Sequence, residues 1–90
     1  MTRNETIERF IKNQIDDIKG NIPYALGSNM EMNKGEWIRW SNEQIYNKAF
    51  GALVYAYCYT KELDREQYEM LMDDLRDVYF AENRKSFNIK

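Results

Sequence analysis

Ile7, Ile11, Ile15 and Ile18 fall three or four residues apart, with charged and amide side chains at most of the positions between them. That spacing places four branched apolar side chains on one narrow stripe of a helix. Thr2 followed by Glu5 has the form of a capping box. Gly20, just past Lys19, is a natural stop, because glycine enters the left-handed conformation without penalty. The pattern predicts a first helix over residues 3–19.

Periodicity is then lost. Residues 20–40, GNIPYALGSNMEMNKGEWIRW, hold three of the four glycines and the single proline. Pro23 disfavours helix at Ile22, yet Met30, Met32, Trp37, Ile38 and Trp40 are too apolar for a solvated linker. A short hairpin around Asn33-Lys34-Gly35 and an early helix start at Lys34 both fit. The composition favours an irregular segment over 20–41, packed on the domain. Ser41 with Gln44 has the form of a second capping box, predicting a second helix over 42–60. Asp64 as N-cap, with Gln67 at the third position, opens a third over 64–82, whose stripe is Tyr68, Leu71, Met72, Leu75 and Tyr79. So brief a connection makes the last two helices antiparallel neighbours. The tail NRKSFNIK, 83–90, is basic and expected to fray, with Phe87 and Ile89 available to dock. The expectation is a single all-α domain of three helices, with a long irregular segment between the first and second.

One stretch sets the central question. AFGALVYAYCY, 49–59, runs eleven residues without a charge. On a helix its main face is Tyr46, Ala49, Phe50, Leu53, Ala56 and Tyr57, with Val54, Cys58, Tyr55, Tyr59 and Gly51 behind. A helix apolar nearly all round belongs at the centre of a domain. Leaving a residue such as Val54 in water forfeits roughly 1.5–3 kcal/mol, and several such losses approach the roughly 5–15 kcal/mol that holds a whole domain together. The first and third helices and the tryptophan segment are the available covers. A partner or a second copy on Tyr55 and Tyr59 is the other solution.

Composition narrows the chemistry. Ninety residues, 43% hydrophobic and 31% charged, suit one small folded domain. There is no histidine, which removes histidine-based nucleophilic systems, metal ligands and pH switches. Cys58, the one cysteine, permits no internal disulfide and reads as a small core residue in a reducing compartment. The first residues carry no apolar signal region, and the longest apolar run is far short of a membrane span. A cytoplasmic protein is expected. Asp16-Asp17 and Asp73-Asp74 are paired carboxylates, but neighbours on a helix point about 100° apart and do not converge on one substrate atom. No glycine-rich phosphate loop occurs. An enzyme is not expected, nor is any cofactor.

Charge changes the picture at one place. Residues 61–82 hold three cations, Lys61, Arg65 and Arg76, against eight carboxylates, a net −5 in a chain of −2 overall. Glu62, Glu66, Glu69, Asp73 and Asp77 line up opposite the Leu71–Leu75 face where the segment is helical. Like charges at that spacing cost a helix roughly 0.2–0.5 kcal/mol per pair. The bland reading is a solvated face softened by Arg65 and Arg76. The functional reading is a surface complementary to a basic partner, such as the Lys/Arg groove of a nucleic-acid-binding protein. Divalent metal binding fits poorly, since no Asx-rich calcium loop with its turn glycine is present. Direct DNA binding is not expected either, because this helix would carry the wrong charge toward phosphates.

Asn, Ile, Lys and Tyr, all encoded by AT-rich codons, supply 31 residues. In size, composition and acidity the chain resembles the short proteins of phages and mobile elements in low-GC bacteria. Many of those inhibit host defence, anti-CRISPR proteins among them. The resemblance implies a non-enzymatic inhibitor that docks on a basic host protein. The expected contacts are the acidic face of Glu62, Glu66, Glu69, Asp73 and Asp77, with Met30, Met32, Trp37 and Trp40 as aromatic and methionine anchors. The competing expectation is a homodimer, structural or regulatory, paired through Tyr55 and Tyr59.

Overall fold

A computed structural model describes residues 4–20 and 33–88. Three helices account for nearly all of them: α1 (Glu5–Lys19), α2 (Lys34–Val54), which runs on into a π-helical turn (Tyr55–Tyr59), and α3 (Arg65–Ser86). Among the described residues there is no strand, and the fold is the expected all-α three-helix domain. The starts of α1 and α3 meet, and the start of α2 meets the end of α3. The first and third helices therefore run the same way, with α2 antiparallel to them.

The isoleucine stripe of α1 does what its spacing predicts. Ile11, Ile15 and Ile18 are buried, and Ile7 packs at the edge. The N-cap is Asn4, not Thr2: the Asn4 Oδ1 accepts the Ile7 N–H at 3.0 Å, which closes one of the orphan donors of the first turn. Thr2 lies outside the described residues. Gly20 does end the helix, but at φ −75° it stays in the right-handed region. The stop is not the left-handed turn that its glycine suggested.

The start of α2 corrects the sequence reading most. Residues 34–41 are helical rather than irregular, and Ser41 is buried inside the helix rather than capping it. The cap is Asn33. Its Oδ1 accepts the Glu36 N–H at 2.9 Å, while its Nδ2 donates to the Glu36 Oε1 at 2.6 Å. Only the first bond closes an orphan backbone donor, the second joining side chain to side chain, and the early helix start at Lys34 is the alternative realised. Trp37 and Trp40 are thus half-buried residues of a helix rather than of a loop. Met30, Met32 and the rest of residues 21–32 lie outside the described residues.

With α2 begun at Lys34, its inner face is Ile38, Ser41, Asn42, Ile45, Ala49, Leu53 and Ala56. From Ile45 onward this row packs between the isoleucines of α1 and Leu71, Met72 and Leu75 of α3. Phe50 is therefore rotated out of the core and 39% exposed, and Cys58 is exposed rather than buried. Both were expected inside.

The end of α2 is unusual. The Thr60 N–H reaches back five residues to the Tyr55 carbonyl at 3.1 Å, and the Ala56 carbonyl accepts from the Glu62 N–H at 2.8 Å and the Leu63 N–H at 3.2 Å. An α-helix would close each turn at four residues, so the five-residue bond to Tyr55 is of the π type, and the bonds from Glu62 and Leu63 reach back further still. The widened turn swings the chain so that Leu63 is buried against the core. The reversal is made at Lys61, at φ +60°. Asp64 then caps α3 as expected, its Oδ1 accepting the Gln67 N–H at 2.7 Å.

Gln67 has a second duty that its capping-box position did not announce. Its side chain accepts the Asn4 N–H at 3.2 Å and donates to the Asn4 carbonyl at 3.3 Å, tying the heads of α1 and α3 together. At the other end, Arg39 donates toward the Ser86 hydroxyl at 3.5 Å and lies 4.0 Å over the Phe87 ring. The expected frayed tail is corrected accordingly: residues 83–86 continue α3, and Ser86 is buried. Phe87 remains largely exposed, and Ile89 is outside the described residues.

Lys61 adopts a backbone conformation that costs an L side chain about 1 kcal/mol and glycine almost nothing. Replacing Lys61 with Gly should raise the unfolding free energy by about 0.5–1 kcal/mol in urea titration. A loss of stability would show that the left-handed turn is not what ends α2.

Candidate protein-binding surfaces

The acidic residues of α3 are brought to one surface. Glu66, Glu69, Asp73 and Asp77 are all exposed on the side away from Leu71 and Leu75, and Glu62 is exposed in the turn that precedes them. Glu69 is engaged by the Arg65 Nε at 2.9 Å, and the Glu62 Oε2 accepts from the Asn4 Nδ2 at 3.3 Å. The hydrogen bond and charge of Glu69 hold the Arg65 guanidinium more firmly protonated than usual. Glu66, Asp73 and Asp77 have no ion-pair partner among the described residues.

Two apolar side chains stand in this acidic field, Met70, which is 39% exposed between Glu66 and Asp73, and Phe80. Phe80, seven residues after Asp73 and three after Asp77, is 52% exposed. It was missed in the sequence because the helix was read for its buried stripe. The signal was available: Phe80 falls on the same helical row as the carboxylates. Phe80 also closes an aromatic ladder across α2 and α3. Phe50 lies 5.9 Å from Tyr46, Tyr46 stacks on Tyr79 at 4.4 Å, and Tyr79 is 5.5 Å from Phe80. A second stack, Tyr57 on Tyr68 at 4.4 Å, joins the same two helices nearer the π turn.

The second surface is the outer side of α2. Tyr55 and Tyr59, stacked at 5.6 Å, are 60% and 73% exposed. With Phe50, Gly51 and Cys58 they form an exposed band along the helix, edged by Val54, which is half-buried and packs in part against the core. The covering expected from α1, α3 and the tryptophans is therefore only half realised: α1 and α3 cover the inner face, and Trp37 and Trp40 belong to α2 itself.

A shallow groove of about 430 Å³ separates α1 from α3. Its walls bring Asp16, Asp74 and Asp77 together with Lys12 and Lys19, over Ile15 and Val78. The charges nearly balance, so the groove favours neither an anion nor a cation. Asp17 and Asp73, the other members of the sequence pairs, do not line it. Among the described residues no group of His, Cys, Asp and Glu side chains is placed to hold a metal ion, and no helix is long and apolar enough to cross a membrane.

Tyr79 is held above the ordinary tyrosine range, first by burial, then by the charge of Glu43 and by Tyr46. Its folded-state pKa is raised, so the stability it contributes is complete below the unfolded value of 10.0 and is lost as pH climbs through the folded one. Tyr79→Phe keeps the stack on Tyr46 and removes the ionisation. Between about pH 9 and pH 11.5 its melting temperature should fall less steeply than that of the parent protein. Parallel alkaline slopes for the two proteins would contradict the burial assigned to Tyr79.

Compared with family models, with curated proteins and with solved structures, the chain matches none.

Proposed function

We propose that this chain is a non-enzymatic protein-binding module that docks on a basic surface through the outer face of α3. The observation that carries the reading is the combination of Glu66, Asp73 and Asp77, exposed and without ion-pair partners among the described residues, with Phe80 set among them. Carboxylates spaced along one helix steer and orient a cationic partner, while an exposed aromatic supplies the desolvated anchor that charge alone does not.

The partner this chemistry recognises is a protein with a Lys/Arg-lined surface, such as the nucleic-acid groove of a host protein. On such a groove spaced carboxylates take the place of phosphates. The resemblance to short phage and mobile-element proteins supports the narrower reading of an inhibitor of host defence acting in the cytoplasm. Neither nucleic acid nor a membrane is a partner in this reading, and no cofactor takes part.

The test is capture from a host lysate, with mass-spectrometric identification, using the parent chain and a variant carrying Glu66→Lys, Asp73→Lys and Asp77→Lys. The three reversals place lysines three or four residues from Glu69 or Asp74, so helix α3 is kept. The parent should retain a basic protein that the variant loses, and raising salt from about 0.05 to 0.5 M should weaken the retention, because exposed charges are screened within about 10 Å at 0.1 M. An identical set of captured proteins for both chains would sink the proposal.

A further inference from the structure

The helix whose apolar residues go nearly all the way round has one face in the core and one in water. On the outer face two rows at four-residue spacing run side by side: Phe50, Val54, Cys58 and Gly51, Tyr55, Tyr59. Such rows are the ridges that pack into the grooves of another helix. None of the six residues carries a charge.

Gly51 sits in the middle of this face, in mid-helix and exposed, where a glycine weakens the helix relative to alanine. A Cβ built on it would meet nothing within 4 Å. No contact inside the molecule, and no positive φ, requires glycine there. What it provides is a notch between Phe50 and Tyr55 that admits another backbone closely.

Exposed charges of both signs flank the face, Glu43 and Lys48 before it and Lys61 and Glu62 after it. A two-fold axis at Gly51 and Ala52 sets two copies of α2 antiparallel, so the Glu43 end of one copy lies toward the Lys61 end of its mate. It also lays Phe50 of each copy on Val54 of the other. Each end carries one charge of each sign, so the antiparallel pairing sets no patch of like charge against its mate, and the face meets itself in shape, as an isologous contact requires.

Area sets the strength. Phe50, Tyr55 and Tyr59 are 39%, 60% and 73% exposed. At roughly 150–250 Å² per aromatic side chain they leave about 350 Å² open on each copy. With Val54, Cys58 and the flanking residues, a pair buries about 1,000 Å², the lower limit for a specific interface. We propose that this protein forms a two-fold homodimer through the outer face of α2, crossing at Gly51, with a dissociation constant in the micromolar range. The acidic face of α3 is left open in that dimer, which would display it twice.

Sedimentation equilibrium of the full chain from about 1 to 300 µM tests this, across the range in which a micromolar dimer fills. The average mass should rise from the 10.9 kDa of one chain toward twice that value. Gly51→Arg fills the notch at an open position, and Tyr59→Glu places a charge on the same face. Each should raise the dissociation constant at least tenfold with the helical circular dichroism unchanged. Asp73→Lys, on the α3 face, should leave dimerisation as it was, so this inference and the proposed docking surface fail separately. A parent chain monomeric throughout the range, or a dimer indifferent to both Gly51→Arg and Tyr59→Glu, would overturn the proposal.

Discussion

One face of α2 must serve two neighbours. Among the described residues, Ile45, Ala49, Leu53 and Ala56 form the buried row of α2 that packs at once against the isoleucines of α1 and the leucines of α3. Ala49 and Ala56 keep that row low, so both flanking helices approach α2 closely. A domain this small has no second core to fall back on. The orientation of α2 about its own axis, fixed by this row, decides everything displayed on the outside, including the exposure of Phe50, Tyr55, Cys58 and Tyr59.

Around that core the helix ends are tied in pairs. Gln67 fastens the head of α1 to the head of α3, and Arg39 fastens the head of α2 to the end of α3 through Ser86 and Phe87. The π-helical turn does the same for the other end of α2, by aiming the chain at buried Leu63. These contacts set the ends of α3 relative to its neighbours. The carboxylates of its outer face and Phe80 are therefore presented on a fixed scaffold rather than on a fraying tail.

The parts legible in the sequence were those where one signal dominated. The isoleucines of α1 and the Leu71–Leu75 stripe of α3 each have a single apolar face, and Asp64 with Gln67 marked the start of α3 correctly. The first two turns of α2 were hidden by small and polar residues at buried positions: Gly35, Ser41 and Asn42 break the apolar period. That omission had a consequence further along. Without Ile38 at one end of the row, the face from Tyr46 to Tyr57 looked as good a core as the true one. The acidic surface was legible because charges on a helix opposite a clear core stripe have only solvent to face. Phe80 and the outer rows of α2 were not, since an apolar residue declares its burial only once its helix has been phased against its neighbours.

The most direct measurement compares two truncations in urea unfolding at concentrations low enough to keep the chain monomeric. Leu53→Ala cuts the inner row and should cost about 2–5 kcal/mol. Tyr59→Ala cuts the outer face and should cost about 0.5 kcal/mol or less, as surface changes do. Comparable losses for the two variants, or a larger one for Tyr59→Ala, would contradict the claim that a single face of α2 holds the fold and leaves the other exposed.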